Sequence, residues 1–188
     1  FKLRHICVFS IKKLMKSKGN IVFLGMMGSG KSSIGRLVSR NLNLNFFDID
    51  QQIEKKLNMK ISKIFKEKGE KFFRKFEEKL TLEILKEKNT VVSLGGGAFL
   101  NKNIRDKILK KHLSFWLKWD AEILIKRIKN SSKRPIAHNL EYGDLINLVN
   151  KRSIIYSRAL YTVECNDLSK NQIANKIIKI YEANKINN

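Results

Sequence analysis

One stretch, Gly25-Met26-Met27-Gly28-Ser29-Gly30-Lys31-Ser32, limits what this chain can fold into more than any other. The apolar run Ile21-Val22-Phe23-Leu24 precedes it, and Ile34, Leu37 and Val38 follow at helical spacing, so the context reads as strand, glycine loop, helix. Glycines let the main chain bend tightly enough for successive backbone N–H groups to converge on a triphosphate. The helix N-terminus adds its own partial positive charge. Lys31 is placed to reach the β- and γ-phosphates, and the Ser32 hydroxyl to ligate Mg²⁺.

Downstream, Leu44-Asn45-Phe46-Phe47-Asp48-Ile49-Asp50 reads as a strand that ends in two carboxylates. If the strand continues to Asp50, period-two alternation sends both to one side. Beside a phosphate loop, that points Asp48 toward a metal's water shell and Asp50 toward the group that receives phosphate. A solvated strand end is the plainer alternative. Residues 51 to 69 read as short helices, with Ser62 as a cap and Gly69 as a stop. Phe73, Phe76, Leu80 and Ile84 then form the core stripe of a longer helix that also carries Arg74 and Glu77 three residues apart, close enough to pair. Taken alone, they read as a surface ion pair.

Thr90-Val91-Val92-Ser93-Leu94 has the look of a buried strand and runs straight into Gly95-Gly96-Gly97, whose backbone N–H groups lie open to a ligand, although a flexible turn also explains them. No Asp ends this strand, which leaves metal positioning to Ser32 and Asp48. A helix from about Lys102 to Lys110, a strand from His112 to Lys118 and a helix capped by Asp120 and running through Ile128 come next. The polar stretch from Lys129 to Asn139 holds the only proline and no apolar period, and is expected to be a mobile basic lid, about residues 129–141. A helix with Lys151, Arg152 and Tyr156, a strand from Tyr161 to Cys165, and a last helix opened by a Ser169/Gln172 capping box complete the chain. Strand and helix alternate without an internal repeat, which predicts a three-layer α/β fold with a parallel sheet covered on both faces.

The net charge of +22 raises the question of nucleic acid, but nine Arg and thirty Lys are scattered among apolar and amide residues rather than gathered on an aromatic platform. No specific nucleic-acid partner is expected. Cys7 and Cys165 lie far apart without metal spacing, and no run is long enough to span a membrane, so a reduced, cytoplasmic, monomeric protein is expected. His5, His112 and His138 have no ligand partners at metal spacing. The basic, partly apolar start lacks a cleavage site. Residues 1–14 are read as an extension dispensable for chemistry, with a membrane-surface helix as the alternative, and residues 15–188 as one domain.

With these motifs in this order, Gly25 to Ser33, Asp48-Ile49-Asp50, Phe73-Arg74-Lys75-Phe76-Glu77, Gly95-Gly96-Gly97, Arg134-Pro135, and Lys151-Arg152 through Tyr156, the chain resembles the shikimate kinases from Asn20 to about Tyr181. The resemblance implies a five-stranded parallel sheet of the nucleoside-monophosphate-kinase type, with a substrate-binding helical insert at about residues 49–77 and a lid. It implies that Asp50, Arg74, Gly95, Gly96, Gly97 and Arg152 hold shikimate, and that Gly28, Ser29, Gly30, Lys31, Ser32, Ser33 and Arg134 hold ATP. Arg127 resembles the arginine that lies against adenine. Ser32 would bind Mg²⁺, with Asp48 acting through its waters. Where the family often has a basic or proline-containing adenine loop, this chain has Asn166-Asp167-Leu168-Ser169.

The residue types fit such a substrate. A small anionic polyol calls for the planar cationic forks of Arg74 and Arg152, and for a carboxylate, Asp50, to orient and deprotonate the attacking hydroxyl. Lys31 and Arg134 would neutralise charge on the transferred group. The implied activity is transfer of the ATP γ-phosphate to the 3-hydroxyl of shikimate, on the route to chorismate and the aromatic amino acids. Another small-molecule kinase of the same loop class, such as a gluconate kinase, is the alternative.

Overall fold

A computed structural model of the chain describes residues 19–130 and 140–186. Among these, β1 (Ile21–Leu24), β2 (Asn45–Asp48), β3 (Thr90–Ser93), β4 (Leu113–Lys118) and β5 (Tyr161–Glu164) form a parallel sheet of order β2-β3-β1-β4-β5. The α-helices among the described residues are α1 (Lys31–Asn41), α2 (Ile49–Leu57), α3 (Ile61–Ile84), α4 (Lys102–Lys111), α5 (Ala121–Lys129), α6 (Tyr142–Tyr156) and α7 (Lys170–Ile186).

Parallel strands buried on both faces read as unbroken apolar runs, and β1 is fully buried at all four positions. Its side chains divide by the strand's period of two. Val22 and Leu24 join a core that includes Ile53, Phe73, Ile104 and Tyr156, while Ile21 and Phe23 join one that includes Ile34, Phe115, Val163 and Ile177. The sheet therefore has helices on both sides, as the alternating elements predict. β1 lies between β3 and β4. The chain crosses to β2 on one side and later to β4 on the other, which opens a crevice beyond the carboxyl ends of the strands beside β1.

The boundary after β2 differs from the expectation. The strand stops at Asp48, whose carboxylate accepts the Gln51 backbone N–H at 3.2 Å and so starts α2. Asp50 therefore lies on a helix rather than on a continued strand, and strand alternation does not set its direction. α3 starts after Lys60 and not at Ser62, with no cap from the capping residue's own side chain. Glu54 of the preceding helix supplies the acceptor instead, taking the Ile61 N–H at 3.0 Å. Gly69 does break α3, at φ 77 and ψ 168. A Cβ there would meet nothing within 4 Å, so the backbone conformation, not lack of space, calls for glycine.

Asp120 stands at the start of α5 without a side-chain cap, and its backbone N–H donates to Asn166 Oδ1 at 3.1 Å. The capping box of α7 is present in both halves: Ser169 N–H to Gln172 Oε1 at 2.9 Å, and Gln172 N–H to Ser169 Oγ at 3.3 Å. That helix runs to Ile186, past the expected end at Tyr181. The expected extension at residues 1–14, and Arg134 with most of the expected lid, lie outside the described residues.

Candidate active site

The loop after β1 turns through positive φ at Gly25, Gly28 and Gly30, and Gly30, at φ 87, stands directly before α1. A left-handed residue there brings the main chain round from the strand so that the first-turn N–H groups of α1 face the crevice. Ser29 N–H donates to the Met26 carbonyl at 3.2 Å and closes the turn. Lys31 is buried, and its ammonium donates to the carbonyls of Gly25 and Met26, each at 2.9 Å. These contacts hold its charge within the loop that precedes it.

On one side of this loop, the three glycines after β3 meet side chains from three other elements. A Cβ on Gly95 would lie 2.6 Å from Asp50 Oδ1 and 2.7 Å from Glu77 Oε1. On Gly97 it would lie 2.6 Å from Arg74 Nη1, and on Gly96 3.3 Å from the Met27 backbone nitrogen and 3.6 Å from Arg152 Nη1. Asp50, Arg74, Arg152 and the glycine run, scattered over more than a hundred residues, thus share one small volume beside the phosphate loop. The resemblance implied that set, and the structure brings it together.

Glu77 belongs with them, although the sequence singled it out only as a partner for Arg74. It is buried, and Arg74 Nη1 donates to its Oε2 at 2.8 Å, while Arg74 Nε reaches Glu70 at 3.1 Å. Burial pushes the Glu77 carboxyl above its usual range; Arg74 pulls it back, Asp50 adds to the rise, and the net shift is upward. Among the described residues, Glu77 Oε1 and Arg152 Nε are buried side-chain atoms without a hydrogen-bond partner. Buried polar atoms are seldom left so, and both belong to side chains of this cluster. A polar ligand fits a place with that need.

Tyr156 was also missed as a functional residue, despite standing one helical turn beyond Arg152 on α6. Its hydroxyl donates to the Gly96 carbonyl. Burial above all pushes its pKa up to about 12, so it stays a neutral donor.

On the other side of the loop lies a cavity of about 500 Å³, lined by Gly28 to Gly30, Trp119, Arg127, Leu168 and Ser169 among others. Its size suits a nucleotide. Arg127 and the loop expected to hold ATP line it, as do Leu168 and Ser169, which replace the basic or proline-containing loop of the family pattern. Trp119, unmarked in the sequence reading, donates from Nε1 to the Ser29 carbonyl at 2.9 Å.

For the metal, Ser32 in the first turn of α1 and Asp48 at the end of β2 are oxygen donors of the kind Mg²⁺ takes. Among the described residues no cluster of three or more His, Cys, Asp or Glu could cage an ion. Mg²⁺ held by a hydroxyl, phosphate oxygens and water needs no cage. No described helix is long and apolar enough to cross a membrane.

Residues 27–182 match the family model described as shikimate kinase. Among curated relatives, the shikimate kinase of Bacillus subtilis is 41% identical over 168 residues, 85% of this chain and 87% of the relative. That of Bartonella quintana is 37% identical over 180 residues, 94% of this chain and 86% of the relative. Among solved structures, the shikimate kinase of Acinetobacter baumannii in complex with shikimate superposes with a TM-score of 0.83 at 30% identity, covering 93% of this chain and 98% of that one. The Aquifex aeolicus enzyme gives 0.80, also at 30% identity, over 90% and 99%.

Proposed function

The chain belongs to the shikimate kinase family, and from that premise we propose how its own residues carry the family's reaction. The reaction is transfer of the γ-phosphoryl group of ATP to the 3-hydroxyl of shikimate, giving 3-phosphoshikimate and ADP, on the route to chorismate and the aromatic amino acids. The hydroxyl oxygen forms the new bond to the γ-phosphorus as the bond to the β–γ bridging oxygen breaks. The hydroxyl proton passes to Asp50.

Arg74 and Arg152 grip the substrate carboxylate, and the Glu77 ion pair holds the Arg74 guanidinium in place for it. Gly95, Gly96 and Gly97 let substrate approach the main chain, with the Gly96 peptide held by Tyr156. Gly28, Ser29, Gly30, Lys31, Ser32 and Ser33 bind the phosphates, and Arg127 lies against the base. Ser32, and Asp48 through water, would hold Mg²⁺, which would supply neutralising positive charge on the phosphates. Arg134, which the resemblance assigns to ATP, would add positive charge at the transferred group.

One observation carries this reading: Asp50, Glu77, Arg74 and Arg152 converge on three successive glycines whose missing side chains leave their polar ends reachable. A base and two arginine forks in one glycine-lined volume suit an acidic polyol better than a neutral sugar or a nucleoside monophosphate. The test is ADP release with shikimate, gluconate and nucleoside monophosphates measured side by side. Shikimate should support turnover and the others should not; turnover with gluconate alone would move the chain to the alternative acceptor.

A further inference from the structure

Trp119 takes no part in the chemistry above, yet it touches both halves of the nucleotide cavity. It follows the last residue of β4, lines the cavity and donates its Nε1–H to the carbonyl of Ser29 in the phosphate loop at 2.9 Å. Arg127 Cζ lies 3.6 Å from the centroid of its ring. A separation that small sets the guanidinium on the face of the indole in van der Waals contact, the geometry of a cation–π pair. Arg127 is otherwise an exposed side chain in the last turn of α5, with many rotamers to lose when a ligand docks. Laid flat on a ring that is itself hydrogen-bonded to the loop, it has far fewer to lose.

We infer that Trp119 is a positioning residue for the nucleotide, holding Arg127 as a preformed flat wall for the purine ring and tying that wall to the loop that binds the phosphates. The inference rests on the kinase reading, because it takes this cavity to be the nucleotide's. Preorganisation of this kind raises affinity by removing an ordering cost, not by adding a contact to the reacting atoms. Its loss should therefore appear in nucleotide binding and leave the phosphoryl-transfer step alone. Stacking does not distinguish one purine from another, so adenine and guanine nucleotides should suffer alike.

The experiment is titration with ADP, which needs no acceptor, alongside steady-state kinetics. Trp119→Leu should weaken ADP binding by about 10-fold, the scale of a partly desolvated cation–π contact, and raise the KM for ATP in proportion. The kcat and the KM for shikimate should stay within about twofold of wild type. Trp119→Phe keeps a ring for Arg127 but loses the N–H that ties it to Ser29, and should recover only part of the affinity; a Phe variant as weak as the Leu variant would overturn the part given to the ring. Wild-type ADP affinity in the Leu variant would overturn the inference, as would a loss spread equally over kcat and both KM values. Should the Leu variant fail to fold, Trp116→Phe leaves Trp119 as the sole tryptophan of the two in the chain. Saturating ADP must then change its emission, and an unchanged spectrum overturns the inference. Absence of turnover with shikimate would instead defeat the acceptor assignment, leaving the ADP titration to judge Trp119.

Discussion

A methyl group at position 95 would sit 2.6 Å from Asp50 Oδ1 and 2.7 Å from Glu77 Oε1, closer than such atoms pack. Gly95 is not among the positive-φ glycines, so alanine suits its backbone, and the atoms in the way are the ends of side chains that can swing aside. Gly95→Ala should therefore fold, with a melting temperature near wild type. It should lose about 10²-fold in turnover, the scale for misplacing reacting groups by an ångström. ADP affinity should be unchanged; full activity in this variant would mean that the carboxylates do not work where they stand. The two carboxylates should also separate kinetically. Asp50→Asn removes the proton acceptor and should lower kcat by about 10²-fold or more. Glu77→Gln keeps an acceptor for Arg74 and should mainly raise the KM for shikimate. A Glu77→Gln variant that loses kcat as heavily as Asp50→Asn would reassign the base.

At the scale of elements, the joint between α4 and β4 depends on a neutral histidine. His112 Nδ1 accepts the Asn20 backbone N–H at 3.2 Å, which it can do only when that nitrogen is unprotonated. Burial first, then Lys107 and Lys111, hold its pKa down at about 4, against 6.5 for an ordinary histidine. In that window the unfolded chain binds the extra proton, so stability rises with pH. The contribution is complete above pH 6.5 and is lost as the pH falls toward 4. The melting temperature should drop between about pH 7 and about pH 4.5, and His112→Asn, which keeps an acceptor, should flatten that drop. Parallel profiles would clear His112 of the effect. Whether such features show in a sequence depends on how local the deciding contact is. The Ser169/Gln172 box and the break at Gly69 are settled within a turn of helix and were legible; the apolar runs of the inner strands were too. The end of β2 was misread because Asp48 caps α2, which turns Asp50 off the strand. Ser62 was misread as a cap because the acceptor comes from Glu54, on another helix. Glu77 stayed hidden for the same reason: its i+3 spacing shows Arg74, while Asp50 and Gly95 reach it from elsewhere in the chain.

For the whole molecule, the open question is what a net charge of +22 does around a site of nearly balanced charge. On the acceptor side, Arg74 and Arg152 stand against Asp50 and Glu77, so the site itself offers an approaching anion little net attraction. The long-range pull on the shikimate carboxylate therefore comes from the lysines dispersed along the chain outside the site. A field of that kind raises the local concentration of anions and their rate of encounter, by about 10-fold to 10³-fold in strongly steered cases. It is also easily screened, since the Debye length shrinks to about 10 Å at 0.1 M salt, whereas short contacts inside the cluster are screened far less. The kcat/KM for shikimate should therefore fall by about 10-fold between about 0.01 M and about 0.5 M salt, while kcat, set by groups already in contact, changes by less than about twofold. A parallel fall in kcat would place the salt effect on the chemistry instead. A flat kcat/KM would make the lysines a solvated face with no part in capture. Gel shifts with duplex DNA over the same salt series supply the remaining comparison: binding that vanishes at moderate salt is the sequence-independent attraction any such surface has, whereas a complex surviving at about 0.5 M would show a nucleic-acid contact that dispersed lysines alone do not provide.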